Sequence, residues 1–325
     1  MTALITSFAD LLDPVTPERF FADYHHKKPL HIPGSPDKFA SVMGWDVINR
    51  MLAMDVWNNQ TLQLYVDRQQ VPPGAYCRRT VNRQRQTVMQ PDSERVKDML
   101  RRGASLLLNE IETLHPGTLA VVETIRQTLG AKVSANLYCS WQERQAFDSH
   151  YDRHDVYVLH VHGEKSWRVY EGRADNPIEH AAFYNIPQAD YDRMKGKVAL
   201  EPVVRPGDLL YLPRGQFHDA LATSEASVHV TFACSEPTGL DWLTQLWEQA
   251  VQDSGFRAYL PRGDGPDGEA ALRAHLERLL DTLRRKGLEG PGLDAAKTLQ
   301  AGFGIKRGAF NLPDKGGGKK GDSPL

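Results

Sequence analysis

No stretch of this chain is long and apolar enough to span a bilayer, and Met1 to Leu12 lacks a basic segment followed by an apolar run. Neither a membrane span nor a secretion signal is expected. Cysteine is scarce: Cys77, Cys139 and Cys234 are odd in number, far apart and without a CxxC pair. A disulfide framework and a cysteine-built zinc site are therefore not expected, and the three read as buried free thiols in a reducing cytoplasm. Excess charge is missing too. With 39 Lys and Arg against 41 Asp and Glu, the net charge of −2 gives no global reason to wrap nucleic acid or bind an anionic membrane. Internal repeats are absent. What remains is an ordinary globular composition, 41% apolar and 25% charged, in 325 residues. That length allows one large domain and a smaller one.

Local patterns divide the chain. Residues 1–100 read as a mixed helix and strand region packed on a core. Thr16 caps a helix that Pro17 opens, with Phe20, Phe21 and Tyr24 facing inward. Leu30 to Ile32 and Leu62 to Val66 read as strands, Trp45 to Met54 as a helix, and the polar stretch Arg78 to Arg95 as a loop. Residues 101–236 form the core unit. An apolar run at Ala104 to Asn109 and a helix at Pro116 to Leu129, ended by Gly130, lead into short strands from Lys132 to Phe232. Turn signals such as Pro206-Gly207 and Pro213-Arg214-Gly215 punctuate those strands, the pattern of a barrel or sandwich. Asp175 to Lys197 is an insert with irregular or helical structure. Residues 237–305 are helical by period, and 306–325 read as a flexible tail.

The strongest chemical signal is Ser149-His150-Tyr151-Asp152. Positions two apart on a strand share a face, so His150 and Asp152 present an imidazole and a carboxylate to one point. A second imidazole would complete a facial triad for non-haem iron, which leaves coordination positions open. His218 is the candidate, just beyond the strand and turn of Arg205 to Gly215. Alone, an HxD tripeptide is as well explained by a surface histidine and a turn aspartate.

The context goes further. The segment HYDRHDVYVLHVHGEKSWRVY, His150 to Tyr170, resembles the metal-site strands of the JmjC oxygenases, and within them the bacterial cupin-4 group that includes the ribosomal oxygenases. Lys28-Pro29-Leu30, Ala135 to Tyr138, Pro206 to His218 and Val228 to Thr231 follow the group's order, so the resemblance runs from about Phe20 to Phe232. It implies a mainly β, α+β architecture: a double-stranded β-helix (jelly-roll, cupin) core with an N-terminal mixed region and C-terminal helices. It implies Fe(II), 2-oxoglutarate and O2 as cofactors. His150, Asp152 and His218 would be the catalytic iron ligands, and Lys165 the cation for the far carboxylate of 2-oxoglutarate. Asn136 and Tyr138, sharing a strand face, either line that pocket or serve ordinary strand packing. His229 stands either beside the cosubstrate or as a satisfied core histidine.

The resemblance implies hydroxylation of a protein or peptide side chain, with a ribosomal protein as one target. Two other readings stay open: a free amino acid or small molecule as substrate, and a metal cupin that does not use 2-oxoglutarate. Where many relatives carry Gln this chain has His160, expected to alter polarity near the pocket, with His162 on the same face. His25 and His26 read as solvated, and His154 and Asp155 as an exposed turn or strand edge. After Arg285 the remaining chain is short for the winged-helix domain of the ribosomal oxygenases. Trp242, Leu243, Leu246 and Trp247 either support a homodimer or pack on the barrel.

Overall fold

The computed structural model describes residues 5–81, 85–141, 148–183, 186–289 and 291–300. Its N-terminal region begins with α1 (Phe8–Leu12) and α2 (Pro17–Asp23). Thr16 caps α2 by accepting the Arg19 N–H, and Pro17 occupies the first turn, where a missing N–H costs nothing. Strand β1 (Leu30–Ile32), helix α3 (Trp45–Leu52) and strands β2 (Leu62–Val66) and β3 (Gln69–Gln70) follow. Next come α4 (Pro73–Tyr76), β4 (Cys77–Val81), β5 (Thr87–Pro91) and α5 (Ser93–Arg101). The stretch expected to be a loop is thus a hairpin, β4 against β5, and the start of a helix. Its strands bury little, so no apolar alternation marks them; Thr80, Val81, Thr87 and Val88 supply strand preference instead, and Asp92 caps α5. Of the aromatic residues on α2, Phe20 is fully buried while Phe21 is exposed.

Strand β6 (Ser105–Leu108) and helix α6 (Pro116–Leu129) complete this region, and Gly130 ends α6 in the left-handed conformation at φ 63°. The rest of the core is β7 (Lys132–Trp141), β8 (Asp155–His162), β9 (Lys165–Arg173), α7 (Gln188–Met194), β10 (Val198–Leu200), β11 (Val203–Val204), β12 (Leu209–Leu212), β13 (Gln216–Ala222) and β14 (Ala226–Ser235). Helix α7 lies in the expected insert. Four helices close the chain: α8 (Gly239–Val251), α9 (Ser254–Arg257), α10 (Gly268–Leu288) and α11 (Pro291–Gln300). The expected tail, 306–325, lies outside the described residues.

Two sheets make the jelly-roll core. One has eight strands in the order β1-β12-β8-β14-β7-β6-β2-β3; the other is β10-β9-β11, with β13 also paired to β9. Both faces of the larger sheet are covered. Phe20, Ile125, Tyr157, Leu159, Tyr211 and Phe232 pack outward under the N-terminal helices, while Val156, Val158, Leu210 and Leu212 meet Trp167 and Val169 of the smaller sheet. A strand buried on both faces reads as a continuous apolar run, which is why β8 and β12 look as they do in sequence. The turn before β12 is locked by Asp208. Its carboxylate accepts from Gly34 N and Arg205 N, each at 3.0 Å, and lies 2.9 Å from His31 Nε2. Gly207 sits there at φ 89°, where a Cβ would come within 1.8 Å of the Ser35 carbonyl oxygen.

Candidate active site

His150 and His218 exchange both backbone hydrogen bonds, His150 N–H to His218 O at 3.0 Å and His218 N–H to His150 O at 2.8 Å. Directly opposed residues of an antiparallel pair share a face, so the two rings come together, 4.6 Å between centroids. Gly215 N–H donates to Asp152 O at 2.8 Å, which ties Asp152 to the same segment one residue out of that register. Asp152 Oδ2 then lies 3.5 Å from His218 Nε2. One ligand atom from each of His150, Asp152 and His218 lies within 4.8 Å of the others. In each ring Nδ1 faces a backbone carbonyl, Asp148 O at 2.7 Å for His150 and Gln216 O at 2.9 Å for His218. A carbonyl only accepts, so Nδ1 bears the proton and Nε2 keeps the lone pair that a metal needs. Burial, followed by the neighbouring His150, pulls the His218 pKa down to about 4, which keeps that imidazole neutral.

Register fixes what stands behind this cluster. On the smaller sheet His218 opposes Val169, Ala220 opposes Trp167, and Ala222 opposes Lys165, so Lys165, Trp167 and His218 share the inner face. On the larger sheet His229 opposes both Tyr138 and His160, and Thr231 opposes both Asn136 and Val158. The two inner faces meet where the Trp167 ring lies 5.7 Å from the rings of both His218 and His229. Tyr138 stacks on His229 at 4.9 Å. All seven residues singled out from the sequence therefore line one interior.

Lys165 is only 6% exposed, and among the described residues it makes no ion pair. Burial lowers its pKa to about 8. On the inner faces near it, His160 Nδ1, Trp167 Nε1 and His229 Nδ1 are buried with no hydrogen-bond partner among the described residues. Burial, then the Lys165 ammonium, hold the His229 pKa well below its usual value. Burial, then the Asp152 carboxylate, push the Tyr138 pKa up, so its hydroxyl stays a donor. A buried cation beside orphaned polar atoms is costly unless an anionic, many-acceptor ligand completes it. His162, expected on the same face as His160, is exposed, because β8 bulges between the two where it pairs with β14.

Residues 107–242 match the JmjC domain family. That stretch is similar to the JmjC domains of the ribosomal-oxygenase-like group. The chain is 29% identical over 228 residues to the bifunctional lysine-specific demethylase and histidyl-hydroxylase NO66 of Aedes aegypti, covering 70% of this chain and 34% of that one. Ribosomal oxygenase 1 of Homo sapiens is 32% identical over 171 residues, covering 50% of this chain and 26% of its own. The chain thus spans about a third or less of the length of these relatives. Among solved structures, the ribosomal oxygenase YcfD from Escherichia coli in complex with cobalt and 2-oxoglutarate superposes with a TM-score of 0.55 at 16% identity, covering 88% of this chain and 70% of that one. That likeness confirms the jelly-roll fold.

The stretch matched to the JmjC family also holds residues that sequence reasoning missed. With His150 opposite His218, Ser149 and Asp219 are opposed on the outer face, and the Asp219 carboxylate accepts from Ser149 Oγ at 2.7 Å, Tyr170 OH at 2.5 Å and Arg168 Nε at 2.9 Å. Burial alone would raise the Asp219 pKa; the hydrogen bonds from Tyr170, Ser149 and Arg168 outweigh it and hold it low. The insert latches onto the same knot, with Gln188 Nε2 donating to Ser149 O and Lys195 Nζ to Ser149 Oγ. Ser149 and Asp219 directly flank the two histidines in the chain, a signal usable only once the pairing is known. Asp219→Ala strands three donors, two of them buried, and is expected to cost about 2–4 kcal/mol of stability. Urea unfolding measures that cost, and an unchanged midpoint would show that Asp219 does not hold the pair.

Proposed function

We propose that this JmjC protein is an Fe(II)- and 2-oxoglutarate-dependent dioxygenase that hydroxylates a protein or peptide side chain, with a ribosomal protein as the leading target class. One observation carries the reading: the cluster of His150, Asp152 and His218 opens onto the interior that holds Lys165 buried without a carboxylate. Two imidazoles and one carboxylate on one side of a metal suit Fe(II) and leave positions for cosubstrate and oxygen. Bound there, iron with 2-oxoglutarate and O2 supplies the oxidative decarboxylation that drives hydroxylation of an unactivated C–H bond.

The chain's own residues set the conditions. His150, Asp152 and His218 hold the metal. Lys165 meets the far carboxylate of the cosubstrate, and its burial leaves its charge poorly screened by water. Tyr138, Asn136 and His229 supply hydrogen bonds along the pocket wall. No cation at that depth is needed by a metal cupin that dispenses with 2-oxoglutarate, which favours the cosubstrate reading. The relatives named for ribosomal oxygenation and histidyl hydroxylation support a protein substrate. The three free, buried cysteines fit a reducing, cytoplasmic setting. Among the described residues no helix is long and apolar enough to cross a membrane.

A second copy of the chain is the proposed partner of α8. Trp242 and Leu246 pack internally, Trp242 Nε1 donating to Gly292 O at 3.1 Å, but Leu240, Leu243 and Trp247 are 53%, 45% and 67% exposed. Light scattering is expected to give a dimer that Trp247→Glu converts to monomer; a wild-type monomer refutes the assignment.

Anaerobic titration of 2-oxoglutarate into the Fe(II)-loaded protein is expected to raise a metal-to-ligand charge-transfer band, absent in His150→Ala and lost or greatly weakened in Lys165→Met. Lys165 is charged below about pH 8 and neutral above it. The dissociation constant should therefore rise about tenfold per pH unit above that point, and show no such rise in Lys165→Met. Tight metal binding with no band at any pH would eliminate 2-oxoglutarate as the cosubstrate.

A further inference from the structure

A second histidine and carboxylate cluster lies outside the barrel interior. His25 and His26 were expected in solvent and Asp155 in an exposed turn or at a strand edge; Asp155 does open β8, but it is 3% exposed and His25 is 13% exposed. Both imidazole Nε2 atoms converge on Glu236 Oε1, at 2.8 Å from His25 and 2.9 Å from His26. The same two atoms lie 3.9 and 3.4 Å from Asp155 Oδ2. One donor from each of the four residues lies within 4.8 Å of the others.

These distances have the size of a small coordination polyhedron. A tetrahedron with arms of about 2.0–2.1 Å has edges of about 3.4 Å, and the four measured edges scatter around that value. The two short edges are imidazole–carboxylate hydrogen bonds that a metal would replace by opening them slightly. Charge also balances, because two neutral imidazoles and two carboxylates neutralise a divalent cation.

The surroundings hold the ligands in place. Successive side chains normally diverge, but His26 adopts φ 58° and its ring stacks on His25 with centroids 3.8 Å apart. That uncommon backbone is fastened at both ends, by His26 N–H donating to Tyr211 OH at 3.0 Å and by Arg173 Nη1 donating to His26 O at 2.7 Å. Asp155 is oriented in turn: Tyr211 OH donates to its Oδ2 at 2.9 Å and Arg214 N–H to its Oδ1 at 2.7 Å. Such outer hydrogen bonds are what fixes metal-binding carboxylates. Two guanidinium groups stand nearby, and both are engaged elsewhere: Arg214 donates to Asn176 Oδ1, and Arg173 to the carbonyls of Arg214 and His26.

We propose that His25, His26, Asp155 and Glu236 form a closed, four-coordinate site for a divalent cation of the Zn(II) class. With four protein ligands and no open position the site is structural. It ties the segment after α2 to the start of β8 and the chain just beyond β14. It shares no ligand with the iron site, and the test separates the two.

Full-length His150→Ala protein, whose iron site is disabled, is loaded with Zn(II) or Co(II), dialysed and assayed for bound metal. The expected result is one equivalent retained, with the intense visible bands of four-coordinate Co(II), against two equivalents in wild type. His150→Ala combined with His26→Asn should bind at least tenfold more weakly, as should the combination with Glu236→Gln. His26 is half exposed, so its variant is the one expected to stay folded, which circular dichroism checks. Folded His150→Ala protein that retains no metal, or retains it with weak six-coordinate Co(II) bands, overturns the proposal. So does undiminished binding in both double variants.

Discussion

The reciprocal hydrogen bonds between His150 and His218 are the constraint on which the rest of the site depends. They are the only described bridge of these two segments outside the named strands. They close the end of the barrel, since His150 leads into β8 of the larger sheet and His218 belongs to β13 of the smaller one. Once 150 faces 218, two consequences are fixed by geometry. The imidazoles fall on the inner face with Asp152, and Ser149 falls opposite Asp219 on the outer face. The inner face is thereby poor in internal partners and the outer face rich in them. The outer knot of Asp219, Ser149, Tyr170 and Arg168 is fully satisfied, and it braces the backbone that aims the inner ligands.

This division explains how the protein tolerates a buried lysine that has no ion pair among the described residues. Lys165 and the orphaned atoms of His160, Trp167 and His229 carry an uncompensated desolvation cost. The offset comes from apolar packing on both faces of the larger sheet and from the rigid register of β9 against β13 and β14 against β7 and β8. A side chain that would prefer to reach solvent is held inside because its strand cannot slip without turning every neighbour over. Such a pocket is preorganised: the cost of desolvating the cation is met on folding rather than on binding.

How much of this was legible in the chain follows from sequence distance. His150 and Asp152 are two residues apart, and strand periodicity alone puts them together. Lys165, Asn136, Tyr138 and His218 were placed by the order of motifs, since no local rule links residues 136 and 218. The helix starts at Thr16-Pro17 and the stop at Gly130 depend on neighbouring backbone atoms and could be read directly. The hairpin of β4 and β5 could not, because it buries too little to leave an apolar period. His162 could not be placed either: a single bulge in β8 reverses its face, and bulges leave no reliable sequence signature. Ser149, Asp219 and the cluster of His25, His26, Asp155 and Glu236 needed long-range pairing, because each residue alone looks like ordinary surface polarity.

The two histidine clusters show how the same side chains yield different chemistry through enclosure alone. They are neighbours, since the turn at Arg214 and Gly215 serves both: Arg214 N–H holds Asp155, and Gly215 N–H holds the backbone at Asp152. At His150, Asp152 and His218 three donors come from one side, and the other side gives onto the interior lined by Trp167 and His229. At His25, His26, Asp155 and Glu236 four donor atoms lie within 4.8 Å of one another, and in the proposed site all four positions of a bound ion would be taken by protein. A motif of histidine and carboxylate therefore does not specify reactivity. The fold decides it, by giving one cluster an open hemisphere and the other a closed shell, and a displacement at the shared turn would be felt by both.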